Sequence, residues 1–252
     1  MKTIITDLDR TLLHTDKSVS QYTLDILKKC RNHGMRIMAA SARPLRDIEP
    51  LQELIGFDAI TATNGAVVSL PDGIIEFGIS RESGERIISD ILACPNVLLS
   101  VETNNGLYAN ADIPIWKPVV YQGFPNLPDN IILYKILASS KHDTLYERIN
   151  NTLTDDVYYT VANHDLIQIM SLQATKWNGI GHMLAHYGIS PADVVYFGDD
   201  NDDIEPIKKC GLGVAVSNAI PAVLEVADCI IDSNDQDGVA KFLENTLLTK
   251  HM

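Results

Sequence analysis

At 252 residues, with 46% hydrophobic and 21% charged side chains, the chain can bury one large core or two smaller ones and has the composition of a globular enzyme. Its net charge of −13 argues against nucleic acid or an anionic membrane as the main partner, because both demand a basic surface. Phosphorylated metabolites stay open, since a bound cation can invert the local field.

No stretch approaches the roughly 18 apolar residues of a membrane span. The apolar run before Asp7 is too short for a signal peptide. Cys30, Cys94, Cys210 and Cys229 lie far apart and form no C-x-x-C pair, so they read as buried thiols in a reducing cytosol. A cytoplasmic enzyme is the expectation.

In chain order, 3–6 reads as a short strand. Ser20 reads as the N-cap of a helix carrying Leu24, Leu27 and Cys30 and stopped by Gly34. A buried strand, 36–40, precedes Pro44, which suits a first helical position, and Gly56 ends that helix. A third strand follows at 59–62. Residues 67–70 and 74–77 flank the turn Pro71-Asp72-Gly73 as a hairpin.

From about residue 79 the texture becomes α+β. It reads as helix 82–93, strand 97–101, an irregular stretch 103–130, strand 131–138, helix 142–153 and strands 157–162 and 166–171. Strict alternation then resumes. Helix 175–187, strand 194–198, helix 202–209, strand 213–216, helix 219–226, strand 229–231 and helix 239–248 are expected. The fold expected is α/β: a doubly wound, Rossmann-like, mainly parallel core from residues 1–78 and 173–252, interrupted by an inserted α+β domain, 79–172.

In such a sheet the site lies beyond the carboxyl ends of the strands, where strand order reverses. Asp7 and Asp9 follow the first strand, Ser41 and Arg43 the second, and Asp199 to Asp203 the strand 194–198. Right-handed crossovers can bring these ends together with the first strand in the middle. Carboxylates so close repel unless a cation lies between them. Oxygen-only ligands suit a hard ion, and few carboxylates plus phosphate and water suit Mg²⁺. An EF-hand fails, because Ile204 stands where the loop needs Gly and Cys210 where it needs Glu.

A phosphate monoester also needs an in-line nucleophile, cations for its equatorial oxygens and a proton for the leaving oxygen. An Asp carboxylate can attack phosphorus directly. Lys176 can offset the clustered carboxylates and hold the phosphoryl group, and Ser41 can donate to the same oxygens. His182 and His186, four apart, lack a third ligand and read as ordinary helix residues. Trp116 and Tyr121 read as packing or a loop anchor, with substrate contact the alternative.

Asp7-x-Asp9-x-Thr11, then Ser41, Lys176 and Gly198-Asp199-x-x-x-Asp203 together resemble the haloacid-dehalogenase-like phosphatases. Asn64-Gly65-Ala66, Ser217-Asn218-Ala219 and Asp237-Gly238-Val239-Ala240 resemble the Cof-type branch, which carries a large α+β cap. The resemblance covers nearly the whole chain. It implies that Asp7 is the nucleophile and a Mg²⁺ ligand, and that Asp9 is the general acid and base and offers its carbonyl to the metal. Asp199 completes the metal ligands, and Asp203 supports the metal and Lys176. Ser41 and Lys176 bind the transferring phosphoryl group, Asn64 and Asn218 line the site, and Arg43 reaches the substrate. The cap sets specificity and excludes water.

Three positions depart from the usual pattern: Arg10 for Gly, Ser41-Ala42-Arg43 for Thr-Gly-Arg, and Asp202 for Asn. The expected partner is a small phosphorylated metabolite, and the expected state is a monomer or weak homo-oligomer. The competing readings are a phosphomutase on the same scaffold and a non-catalytic phosphometabolite-binding protein. A receiver domain takes its acids from separate strands in another order and has no insert of this length.

Overall fold

Thr3–Thr6 (β1) is buried along its whole length and lies in the interior of an eight-stranded sheet. The computed structural model describes residues 2–139, 144–162 and 165–248. After β1 come Gln21–Asn32 (α1), Arg36–Ala40 (β2), Leu45–Ile55 (α2), Ala59–Ala62 (β3), Val67–Leu70 (β4) and Gly73–Glu76 (β5). Then follow Arg81–Leu92 (α3), Leu98–Thr103 (β6), Gly106–Ala109 (β7), Val119–Val120 (β8), Leu133–Ser139 (β9), Thr144–Thr152 (α4), Val157–Ala162 (β10) and Leu166–Ser171 (β11). Alternation closes the chain with Lys176–Tyr187 (α5), Val194–Gly198 (β12), Ile204–Lys209 (α6), Leu212–Val216 (β13), Pro221–Val226 (α7), Cys229–Ile231 (β14) and Gly238–Phe242 (α8).

The chain divides into two compact units, Met1–Ile75 with Thr175–Met252, and Glu76–Ala174. In the first, the strand order is β14-β13-β12-β1-β2-β3-β4-β5, parallel from β14 to β3, with β4 turning antiparallel to β3. Strands β1, β3 and β12 are buried residue by residue, as expected of parallel strands covered on both faces. Helix α1 turns Thr23, Ile26, Leu27 and Cys30 inward at i, i+3, i+4 and i+7. Its start is tied to the end of the chain, because Asp237 Oδ1 accepts hydrogen bonds from Ser20 Oγ at 2.6 Å and Thr23 Oγ1 at 2.9 Å. The α/β class expected from the sequence is the one observed.

The second unit holds a sheet of order β10-β11-β9-β6-β7-β8, antiparallel except for the parallel pair β7–β8. Alternation sends Leu99, Val101, Ile136, Ala138, Ile167 and Ile169 to one face. There they meet Ile87, Ile88 and Ile91 of α3 and Leu145 and Ile149 of α4 in one core.

Several local expectations are corrected. Pro44 is the N-cap of α2, with ψ 151° keeping it extended, and the helix starts at Leu45. The stretch 103–130 contains β7 and β8. These strands are too short to print a period of two, and their neighbours decide their pairing. The expected helix at 202–209 opens as a tight turn, Asn201–Asp203, before α6. The expected helix at 239–248 holds α geometry to Phe242, and then Leu243–Leu248 widens to a π-type turn. The expected start of the helix at 142–153 falls partly on residues 142 and 143, outside the described residues. Cys30, Cys94, Cys210 and Cys229 are free thiols, three of them buried. Among the described residues, no helix is long and apolar enough to cross a membrane.

Candidate active site

Asp7 leaves the sheet at the end of β1, its N–H donating to the Phe197 carbonyl at 2.9 Å. The next residues, Leu8–Leu12, form one wide turn that buries Leu8, Thr11 and Leu12. That turn points Thr11 Oγ1 at Asp199 Oδ1, 2.9 Å away. Arg10, at its outer edge, is exposed and adopts φ 59°, ψ 10°. This is the left-handed region that an L side chain enters at a cost of about 1–2 kcal/mol. A glycine meets no such cost, which accounts for the residue usual at this place in the motif.

Lys176 opens α5, and Thr175 caps that helix by accepting from Asn178 N. Gly65 lets the two segments meet, because a Cβ there would stand 2.0 Å from the Thr175 carbonyl oxygen, and its φ is +98°. Lys176 is 2% exposed. Its ammonium lies 2.7 Å from Asp7 Oδ1, 2.7 Å from Asp203 Oδ1 and 3.4 Å from Asp202 Oδ1. One buried cation thus faces three carboxylates.

Asp203 is held on every side. Its Oδ1 accepts from Lys176 and from the Tyr196 hydroxyl at 2.5 Å. Its Oδ2 accepts from the backbone N–H groups of Asp199 at 2.9 Å and Asp200 at 3.1 Å. A carboxylate has about four acceptor positions, and all of them are used. Gly198 makes room for this arrangement, since a Cβ there would stand 2.5 Å from Asp203 Cβ. Asp200 is exposed and caps the turn that follows.

Carboxylate oxygens of Asp7, Asp199 and Asp203, all buried, lie within 4.8 Å of one another. Burial raises the Asp7 carboxyl well above its ordinary value; Lys176 opposes this, while Asp203, Asp199 and Asp202 add to it. Burial and Asp203 push Asp199 up to about 7, against Thr11 and Lys176. Lys176 is raised as well. Burial alone would lower it, but Asp202, Asp203 and Asp7 hold it well above its ordinary value. Four carboxyls, those of Asp7, Asp199, Asp202 and Asp203, thus share one ammonium, and fully ionised they would exceed what it offsets. The cluster's all-oxygen donor set fits a hard divalent cation, with Asp7 and Asp199 having oxygens to spare and Asp203 orienting the group.

Asp9 faces elsewhere. Arg43 binds it with both arms, Nε to Oδ2 and NH2 to Oδ1, each at 2.6 Å. Burial would raise the Asp9 carboxyl, but the Arg43 hydrogen bonds and charge, with Lys17 and Lys176, hold it below the ordinary value. Ser41 is buried, and its Oγ accepts from Arg43 N at 3.2 Å. Asn64 sits at φ 56° with Nδ2 donating to Asp202 Oδ2 at 2.6 Å. Asn218 is used for anchoring. It donates to the Arg10 carbonyl at 2.8 Å and accepts from Asn234 N at 2.9 Å.

Asp7, Lys176, Asp199 and Asp203 are therefore brought into one cluster, with Asn64 attached through Asp202. Asp9 and Arg43 form a separate pair, and Asn218 pins the turn that carries Arg10. Tyr196 had no signal in the sequence, where it reads as one more residue of an apolar strand. Thr11 was visible only as part of a motif.

The haloacid dehalogenase-like hydrolase family model matches residues 4–243. The 5-amino-6-(5-phospho-D-ribitylamino)uracil phosphatase YitU of Bacillus subtilis is 26% identical, over 96% of each chain. A haloacid dehalogenase-like hydrolase from Bacteroides thetaiotaomicron superposes with a TM-score of 0.84 at 21% identity, covering 97% of this chain and 98% of that one. A subclass IIB sugar phosphatase superposes at 0.80 and 19% identity, covering 97% and 98%. The family match spans the acidic cluster and both halves of the parallel sheet, and the chain belongs to the haloacid dehalogenase-like hydrolases.

Proposed function

We propose that the protein is a Mg²⁺-dependent phosphatase that hydrolyses small phosphate monoesters, sugar phosphates or related metabolites, through an aspartyl-phosphate on Asp7. The observation that carries this reading is the buried Asp7–Lys176 contact at 2.7 Å inside a group of further carboxylates. A carboxylate aimed by an ammonium can serve as a nucleophile, and its surplus of negative neighbours calls for a cation. Mg²⁺ held by Asp7, Asp199 and the Asp9 backbone carbonyl, with Asp203 in support, would offset that charge and polarise the phosphoryl oxygens.

Asp7 attacks phosphorus, and the bond to the ester oxygen breaks. Asp9 protonates that leaving oxygen. As a carboxylate, Asp9 then takes a proton from the water that attacks the aspartyl-phosphate. The bond from Asp7 to phosphorus breaks, and inorganic phosphate leaves. Lys176 and Ser41 hold the equatorial oxygens, and Asn64 and Asn218 line the site. Arg43 keeps Asp9 ionised, the form needed for the second step. Turning Arg43 from Asp9 to the anionic substrate frees Asp9 for the first step. Residues 1–78 and 173–252 are assigned to catalysis and 79–172 to substrate specificity, as a cap.

The test is phosphate release from a panel of phosphorylated metabolites, with Mg²⁺ and with EDTA. The panel includes 5-amino-6-(5-phospho-D-ribitylamino)uracil, named for the Bacillus relative. Mg²⁺-dependent turnover that disappears in Asp7→Asn supports the reading. Full activity in that variant overturns the assignment of the nucleophile. An isomerised sugar phosphate in place of free phosphate makes the protein a mutase.

A further inference from the structure

The second unit contains a cavity of about 260 Å³, lined by Leu98, Ser100, Ile113, Trp116, Leu137, Ser139, Asp165 and Leu166. It lies on the sheet face opposite the helices. Ser100 pairs with Leu137 and Leu98 with Ser139 across β6 and β9, while their neighbours Leu99 and Ala138 enter the core. The residues that follow β7 supply Ile113 and Trp116 to the lining.

Three observations indicate a ligand. Ser100 is 1% exposed, lines the cavity, and its Oγ has no hydrogen-bond partner. A buried hydroxyl left unpaired costs about 1–3 kcal/mol, which a ligand atom would recover. Around this cavity, Leu98 and Trp116 stay 45% and 41% exposed, although both are large and apolar. Among the described residues, the lining carries one charged side chain, that of Asp165. Tyr121, by contrast, is absorbed by packing, edge-on to Tyr108 and Phe124, with its hydroxyl on the Asn126 carbonyl.

We propose that this cavity binds a small aromatic ring bearing a protonated amine or amidine. A cavity of about 150 Å³ accommodates benzene, so the larger volume here suits one ring with substituents. Leucine and isoleucine walls take the ring. The indole face and Asp165 favour positive charge, and Ser100 and Ser139 accept N–H donors. Nothing in this chemistry requires a phosphate, so binding here can be tested apart from the proposed hydrolysis.

The experiment titrates benzamidine into the full chain and follows the Trp116 indole N–H by NMR, Trp177 being the second indole of the chain. Benzamidine is expected to shift the Trp116 signal and leave Trp177 in place. Benzyl alcohol and benzoate should bind about tenfold or more weakly, the effect of one lost charge-assisted hydrogen bond. Asp165→Asn, at an exposed position that does not threaten folding, should weaken benzamidine by about tenfold, and Ser100→Ala by about fivefold. Benzoate binding as tightly as benzamidine, indifference to Asp165→Asn, or no shift at Trp116 would each overturn the proposal. A competition arm with p-nitrophenyl phosphate separates two sources of the ligand. Competitive inhibition identifies the amine as the organic part of the substrate, and unaltered hydrolysis identifies a free metabolite.

Discussion

Asp7 and Asp9 stand on the same turn, two residues apart, in opposite electrostatic surroundings. Asp7 is buried among Asp199, Asp202 and Asp203 with one shared ammonium, and its carboxyl is raised. Asp9 is half-exposed, has a guanidinium to itself, and its carboxyl is lowered. Burial opposes ionisation at both, so partner count decides the sign. A surplus of acids prepares one position for a cation, and an exclusive pair keeps the other ionised without one.

The largest effect should come from Asp7→Asn. Removing the proposed nucleophile is expected to lower kcat by about 10⁴-fold or more, read by phosphate release. Its amide also removes one charge from the cluster, so thermal stability without metal should not fall in parallel.

Lys176→Met is expected to destabilise the metal-free protein by about 3–5 kcal/mol at pH 8, because it leaves buried carboxylates without their cation. Urea unfolding should show a smaller loss at pH 5, where those carboxyls take up protons. An equal loss at both pH values would contradict the crowded-acid account.

In wild type the same crowding has a pH signature. The folded value of about 7 for Asp199 lies above the ordinary 3.8, so the folded state holds the proton more tightly. That contribution is complete below the ordinary value and is lost as pH rises through about 7. In EDTA, stability should fall across that window by up to about 1.4 kcal/mol per pH unit for each proton released. Mg²⁺ should restore it at pH 8 and do little at pH 5. Stability in EDTA that rises from pH 5 to 8 would break the comparison.

At Asp9 the expected effects are smaller. Arg43→Ala should move the Asp9-dependent inflection of the pH–rate profile to higher pH. It should cost at most about 1 kcal/mol of stability, as for a partly exposed ion pair. Arg10→Gly is the mildest change. It removes a left-handed cost of about 1–2 kcal/mol and adds about 0.5–1 kcal/mol of chain entropy, so urea unfolding should show a gain of about 0.5 kcal/mol.

Much of the fold was legible in local pattern. The apolar runs of β1, β2 and β12, the cap at Ser20 and the stop at Gly56 are properties of neighbouring residues, and the structure keeps them. β7 and β8 were not legible, because strands of four and two residues take their definition from the strands beside them. The order of Asp7, Ser41, Lys176 and Asp199 along the chain was enough to group them as candidates, since strand ends in a doubly wound sheet converge.

By itself the sequence determined the α/β class, the acidic residues and the lysine assigned to them, because spacing and residue type carry that information. Only the tertiary structure decided how they divide. It gave Lys176 to Asp7 and Asp203, Arg43 to Asp9, and the backbone of the Asp199 turn to Asp203. It also placed Arg10 at positive φ and left the Ser100 hydroxyl unpaired. Charge pairing and burial act through space over a few ångströms, and neighbours at that distance come from segments far apart in the chain.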